Sequence, residues 1–166
     1  MLRARFASSA DDNMAIDQRN RHFAAAAFMA GAALCLLAGC GPSTPFPMTQ
    51  VTGKVAYEDG TTIPGNRVTV TFVPQTPPVD ERTHPRSAYA TVDPETGQLG
   101  AVTTSKYNDG LIRGKHKVTI VAVDERDNLL PVIDPKYSSE KTTPLTIDTA
   151  DSPLDIRIPK PSEASQ

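Results

Sequence analysis

Short segments in which apolar and polar residues alternate recur between residues 51 and 158, and turn signals separate them. In residues 68–73, Val68, Val70 and Phe72 take alternate positions and two threonines lie between them. This period of two is typical of a strand that is buried on one face. The turn signals are rich in Pro, Gly, Asp and Asn, which suit tight turns. The pattern restricts this part of the chain to an all-β fold.

About seven such segments predict a single antiparallel β-sandwich, with a closed barrel of about six to eight strands as the structural alternative. The longest segment, 115–123, is partly apolar on both faces toward its end, so we expect it to be a central strand. The predicted strands are residues 51–57, 68–73, 87–92, 99–103, 115–123, 145–147 and 154–158.

The residues ahead of this domain have the composition of an export signal. Residues 23–38 are uncharged and rich in Ala, Phe, Met and Leu, and two arginines and a histidine lie just before them. At about 16 residues, this apolar run is shorter than the roughly 20 that span a bilayer. It ends in Leu37-Ala38-Gly39-Cys40, where small residues precede a cysteine. That arrangement is the lipobox of a bacterial lipoprotein signal.

We predict cleavage between Gly39 and Cys40, so that residues 1–39 are a signal peptide and Cys40 becomes the lipid-modified N-terminus. Cys35 follows a leucine where a small residue is required, so we assign it to the apolar run. An uncleaved anchor helix is the alternative, which the length of the run and the small residues disfavour. Gly41, rather than Asp, follows the cysteine and argues against inner-membrane retention. We therefore expect an exported chain that is lipid-anchored to the cell envelope, at the outer membrane or on the periplasmic or cell-surface side.

The first residues fit a signal poorly because they include Asp11 and Asp12. Met14 offers a second start that gives a short n-region ending in arginines. Our hypothesis is that translation begins at Met14.

Composition restricts the chemistry of the mature chain. With Cys35 removed and Cys40 acylated, no thiol is left for a disulfide or a cysteine-ligated metal. The formal net charge is −2 and no basic block is present, which argues against nucleic acid as a partner. We predict a Pro-rich tether over 40–49, one domain over 50–159 and a disordered tail over 160–166.

No combination of residues predicts catalysis, a metal site or a cofactor. Ser138-Ser139-Glu140-Lys141 matches a Ser-x-x-Lys motif, but it lies in a predicted polar loop without its partner motifs. His84 and His116 lack further ligands, so we expect both to be exposed polar residues. Carboxylates at predicted turn tips could bind calcium, although turn formation is the simpler interpretation; they are Glu58, Asp59, Asp93, Glu95 and Asp109.

The irregular connection 74–85, with Pro77, Pro78 and Asp80, is a candidate binding loop. Tyr89 alternates with two alanines and is expected to face solvent. We predict a non-catalytic structural or protein-interaction module that binds through loops or an exposed sheet edge. The alternative is a surface carbohydrate-binding module with an exposed tyrosine as its platform, for which the candidates are Tyr57, Tyr89, Tyr107 and Tyr137.

A series of short motifs, taken in order, resembles bacterial lipoproteins with a carboxypeptidase-regulatory-like, transthyretin-like domain. The resemblance implies a prealbumin-like β-sandwich that serves as an accessory module without catalytic residues. The chain departs from the pattern in its long 74–85 connection and in His116, where Tyr is commoner. The motifs are Val51-x-Gly53-x-Val55-x-Tyr57, Ile63-Pro64-Gly65, Val68-x-Val70-x-Phe72-Val73-Pro74, Asp93-Pro94-x-x-Gly97, Gly114-Lys115-His116-Lys117-Val118 and Pro135-Lys136-Tyr137.

Overall fold

The computed structural model describes residues 44–161, and in this part the chain is mostly strand with very little helix. The only helical segments there are two 3₁₀ turns, η1 (Pro135–Ser138) and η2 (Thr149–Asp151). The strands are β1 (Met48–Thr49), β2 (Gly53–Tyr57), β3 (Arg67–Pro74), β4 (Ala88–Val92), β5 (Leu111–Ile112), β6 (Lys115–Val123), β7 (Thr146–Asp148) and β8 (Leu154–Ile158). The prediction of an all-β chain is confirmed for these residues.

The largest sheet has the strand order β4-β3-β6-β7, and all its neighbours are antiparallel. Val70 on β3 lies opposite Ala90 on one side and Ile120 on the other, and all three are fully buried. Residues two positions away share this face, because side chains alternate along a strand. The alternation in residues 68–73 and 115–123 therefore identified the buried face, and β6 is an interior strand as predicted.

The expectation of a wholly antiparallel arrangement is wrong for β2 and β8, which pair in parallel. An alternating sequence indicates which face of a strand is buried, but it is the same for parallel and antiparallel neighbours. The parallel direction follows instead from the path of the chain, because β8 is the last strand in the sequence and pairs with β2, which precedes the four-stranded sheet. Gly53 allows this close approach, because a Cβ there would lie 2.5 Å from the Leu154 carbonyl oxygen.

Residues 99–103 were predicted as a strand, but they form only isolated bridges to β4, at Leu99 and Thr103. The preceding residues pair with β2 instead: the Val55 amide donates to the Gly97 carbonyl (2.8 Å). The segment thus changes partners within a few residues, so neither ladder becomes long enough to form a regular strand. It connects the edge of the four-stranded sheet to β2.

One apolar cluster contains side chains of both the four-stranded sheet and the β2–β8 pair. Phe72 and Val118 enter it from one sheet, and Val55 and Ile156 enter it from the other. The sheets of the described residues are not closed on themselves, so these residues do not form the closed barrel that was the alternative to a sandwich.

Described residues on both sides of the predicted domain, 50–159, contact the fold. Phe46 is buried and β1 pairs with β5, so the last part of the predicted tether belongs to the folded domain. Burial of the Phe46 ring outweighs the preference of the neighbouring prolines for an extended linker. At the other end, Lys160 contacts the domain: its Nζ lies 2.6 Å from Asp59 and over the Tyr57 ring.

The contact between β1 and β5 depends on Gly110. A Cβ at this residue would overlap the Thr49 carbonyl, and its φ of +86° is unfavourable for any other residue. We expect Gly110→Ala to lower the free energy of unfolding by about 2 kcal/mol or more and to release β1. Gly60→Ala is the matched control, since Gly60 has a φ of +87° and open space around it. Urea denaturation of both variants separates the cost of the steric overlap from the cost of placing alanine at a positive φ. Equal decreases in the free energy of unfolding would contradict the role of Gly110 in the β1–β5 contact.

Candidate functional site

The candidate binding loop connects β3 to β4 and has a fixed tip. The Val79 amide donates to the Thr83 carbonyl (3.0 Å). One Asp80 carboxylate oxygen accepts from the amides of Arg82 (2.8 Å) and Thr83 (2.7 Å), and the other accepts from the Thr83 hydroxyl (3.0 Å). These bonds, the Arg82 amide first among them, hold the pKa of Asp80 below its usual range.

Asp80 therefore has a structural function within the loop, since its oxygens are already used by neighbouring residues. The apolar side chains that the loop offers to a partner are Pro77 and Pro78, which are exposed, and Val79, which is 61% exposed. An exposed valine on a fixed turn is a contact surface of small area. The loop by itself is not a pocket for a small ligand.

Tyr89 faces solvent, as the alternation predicted, and is 55% exposed. It lies on β4 opposite Thr71 of β3, on the face that points away from the core. On its other side, Tyr89 and Thr103 exchange two backbone hydrogen bonds of 2.9 Å. The structure thus places Tyr89 between Thr71 and Thr103 on the outer sheet face, and no hydrogen bond joins it to Asp80 among the described residues.

Threonines surround Tyr89 on this outer face. Thr71, Tyr89 and Thr119 form one row across three strands, and Thr69 and Thr91 belong to the next row. Neighbouring residues in a row are about 4.8 Å apart, which is the spacing of paired strands. The hydroxyls of these four threonines form no hydrogen bond to any other described residue. Thr119 is buried, so the outer face presents an aromatic ring beside the hydroxyls of Thr69, Thr71 and Thr91, and the alternating threonines of the sequence already indicated this face.

The expectation that both histidines are exposed holds for His84 and is wrong for His116, which is 1% exposed. His116 lies on the inner face of β6, two residues before Val118, so the strand period buries it. Its Nδ1 donates to the Gly114 carbonyl (3.1 Å), and its ring meets the Phe72 ring edge-on. Burial lowers the pKa of His116, and the Gly114 carbonyl and the Asp148 charge oppose this shift only in part.

An open apolar cleft of about 340 Å³ lies beside the end of β6. Its walls include Val121, Leu129, Leu130 and Ile133, and Ser138 supplies the only hydroxyl of its lining. The Tyr57 hydroxyl donates to the Val132 carbonyl (2.6 Å) and so fixes the segment that forms one wall. The cleft is large enough for a small apolar group, but it holds no acid, base or nucleophile pair.

The turn carboxylates cap their own turns. Asp93 accepts from the amides of Glu95 (2.9 Å) and Thr96 (2.8 Å), and the Thr96 contact is the main reason that its pKa is lowered. Asp59 is held by Lys160 and by Thr61, which lower its pKa in that order. Within residues 44–161, no three His, Cys, Asp or Glu side chains come close enough to hold a metal ion.

The Ser-x-x-Lys sequence does not form a helical turn. Ser138 is the last residue of η1, and the three residues after it are exposed. The Ser139 hydroxyl accepts from the Lys141 amide at 3.3 Å. The motif therefore lacks the buried helix that its chemistry requires.

Comparisons of the chain with protein-family models, with curated proteins and with solved structures found no match. Among the described residues, no helix is long and apolar enough to cross a membrane. The predicted cleavage and lipidation residues, Gly39 and Cys40, lie outside the described part of the chain.

The buried His116 makes stability depend on pH in a defined window. Its pKa is lower in the folded protein than the unperturbed value of about 6.5, so the unfolded chain binds the proton first as the pH falls. The free energy of unfolding should therefore fall below about pH 6.5, by up to about 1.4 kcal/mol per pH unit, and level off below the folded pKa.

Urea denaturation between pH 7.5 and pH 5 measures this slope. His116→Gln should flatten it, whatever its effect on stability at pH 7.5, because the titrating group is gone. His84→Gln should retain the slope, since His84 is exposed. A slope that persists unchanged in His116→Gln would show that another group is responsible.

Proposed function

We propose that this chain is an exported, lipid-anchored β-sandwich that acts as a non-catalytic structural or protein-interaction module at the cell envelope. The observation that carries the proposal is the lipobox Leu37-Ala38-Gly39-Cys40 at the end of an uncharged apolar run. Cys40 supplies the attachment to membrane lipid, and removal of residues 1–39 accompanies it.

The position of the folded domain supports this proposal. Phe46 is the first buried residue of the described part, and only five residues separate it from Cys40. The chain therefore changes from signal to folded domain within a short distance, as expected when an export signal is joined to an independent module.

The sandwich and its transthyretin-like character are part of the same proposal. The four-stranded sheet and the β2–β8 pair contribute side chains to one apolar cluster, which supports the sandwich. The resemblance to carboxypeptidase-regulatory-like domains of bacterial lipoproteins rests on the order of the short motifs, of which Pro135-Lys136-Tyr137 forms most of η1.

An interaction module requires a surface that a partner can reach. In the described residues β8 is paired on one side only, and its open edge is short. Arg157 and Asp155 form an ion pair of 2.6 Å on this strand, and such charges discourage indiscriminate strand addition. A partner would therefore need a complementary charge pair or would bind the loops instead.

The attachment is tested by expression of the full chain in a bacterium with a lipoprotein pathway. We expect the wild-type chain to lose residues 1–39, to gain a diacylglyceryl group on Cys40 and to partition into detergent. Cys40→Ser should abolish the lipid and the partitioning, whereas Cys35→Ser is the matched control and should behave as wild type. Intact-protein mass spectrometry identifies each product, and a Cys40→Ser chain that is processed and partitions normally would contradict the proposal.

The outer sheet face favours a second candidate, a surface carbohydrate-binding module. Tyr89 is a solvent-facing ring, and the hydroxyls of Thr69, Thr71 and Thr91 lie on the same face without a hydrogen-bond partner among residues 44–161. Sugars commonly stack on aromatic rings and hydrogen-bond to nearby hydroxyls, and this face offers both kinds of contact.

Binding of the mature chain to envelope polysaccharide tests this second candidate. We expect Tyr89→Ala to weaken binding by roughly fivefold, which corresponds to about 1 kcal/mol of lost stacking. Tyr107→Ala is the control, because Tyr107 is even more exposed but lies in a loop and not in the sheet face. If the mature chain binds no polysaccharide, or if the two variants lose the same affinity, the carbohydrate function is excluded for this face.

A further inference from the structure

The chain enters the domain at one end of the four-stranded sheet. The Arg113 amide donates to the Pro47 carbonyl (2.9 Å), so the first described residues lie beside the connection between β5 and β6. Two residues later, the Lys115 carbonyl accepts from the Gln75 amide (2.9 Å) at the end of β3. The loop 75–87 therefore projects from the same end as the incoming chain.

A second loop, residues 104–110, lies at this end as well. Thr103 pairs with Tyr89 in antiparallel fashion, so the chain leaves the sheet next to the start of β4. Asp109 holds the loop by accepting from the amides of Thr104 (2.7 Å), Ser105 (2.9 Å) and Lys106 (2.9 Å). We call this side of the domain the anchor end; it comprises residues 44–47, 75–87, 104–110, 113–114 and 149–153.

Both loops of the anchor end present an exposed apolar side chain on a fixed tip. Val79 is 61% exposed, and Tyr107 is 85% exposed. Exposed cations adjoin them, namely Lys106 beside Tyr107, and Arg82 and Arg86 in the loop of Val79. Tyrosine and cationic side chains are the residues that favour the headgroup region of a bilayer.

The opposite end of the domain, which we call the far end, is acidic. Its turns 58–60, 93–97 and 124–128 follow β2, β4 and β6, and they hold seven acidic residues and one basic residue. Two of these acidic residues, Asp59 and Asp127, form ion pairs with Lys160 and Arg67, so the far end keeps an excess of negative charge. The anchor-end loops hold four acidic and four basic residues. An anionic bilayer surface repels the far end more strongly than the anchor end.

The length of chain before the domain keeps the anchor end close to the membrane. Six Cα–Cα steps connect Cys40 to Phe46, and whatever conformation they adopt they span at most about 20 Å. The bilayer is therefore the nearest surface to the two fixed tips once Cys40 carries lipid.

We propose that the anchor end is a bilayer-facing surface, which Val79 and Tyr107 hold against the phospholipid headgroups while the acidic far end points away. This inference rests on the proposed lipid attachment at Cys40. It also reassigns the loop 75–87, which faces the membrane and is not the surface for a distant protein partner. The sides of the sheets and the far end remain for that partner.

The absence of tryptophan from the chain allows a direct test. Val79→Trp, Tyr107→Trp and Leu129→Trp each introduce one reporter, and Leu129 is the matched control because it is 73% exposed and follows a far-end turn. The lipidated variants are reconstituted into vesicles of phosphatidylethanolamine and phosphatidylglycerol with brominated acyl chains. We expect fluorescence at residues 79 and 107 to be quenched at least about twofold more than at 129.

Equal quenching at the three positions, or stronger quenching at 129, would overturn the inference. Two reporters on separate loops guard against a local effect of one substitution, and urea midpoints near that of wild type verify that each variant is folded. If the proposed lipid attachment is wrong, the result is different, because mass spectrometry then shows that Cys40 carries no lipid. In that case Cys40, the only cysteine after residue 39, is coupled to a maleimide lipid, and the same reporters test the orientation independently.

Discussion

The pairing of β3 with β6 is the contact on which the rest of the domain depends. Its register runs from Arg67 opposite Val123 to Pro74 opposite His116, and it is the longest ladder in the described residues. A slip of one residue would turn every side chain of one strand to the other face. Because Phe72 and Val118 lie inward in this register, the core can form against the β2–β8 pair. The same register turns Thr71 and Thr119 outward, so the core and the outer face are fixed together.

Much of this arrangement could be predicted from the alternation of residue types, because the buried face of a strand is a local property. The direction of β8 and the change of partner near residues 97–103 could not be, since they depend on which distant segment pairs with which. His116 illustrates a related limit: its position in the period of β6 indicated burial, whereas its polarity indicated exposure. The side chain is buried as the strand register requires, because one ring nitrogen donates a hydrogen bond to the carbonyl of Gly114, just before β6.

The turn residues show a similar difference between a property that depends on neighbouring residues, the formation of a turn, and one that depends on the topology, the position of that turn in the domain. Asp93 and Asp109 were recognisable as residues suited to turns, whereas Asp80 was predicted as part of a binding loop; in the structure each of the three accepts amide hydrogen bonds from the residues around it. The spatial grouping of their loops follows only from the topology. It brings the loops of Asp80 and Asp109 to the end where the chain enters and leaves Asp93 at the opposite end.

This separation connects the fold to the proposed attachment. Strand β1 is only two residues long, yet its pairing with β5 determines which end of the sheets lies next to the chain that leads from Cys40, the proposed lipidation site. Under the proposed attachment at Cys40, the choice of end decides which loops can reach the bilayer and which can reach a partner. A longer or unpaired leader would leave the domain free to rotate, and the acidic turns would then have no fixed direction relative to the membrane. Under that proposal, the small β1–β5 contact contributes more to the orientation of the domain than to its core.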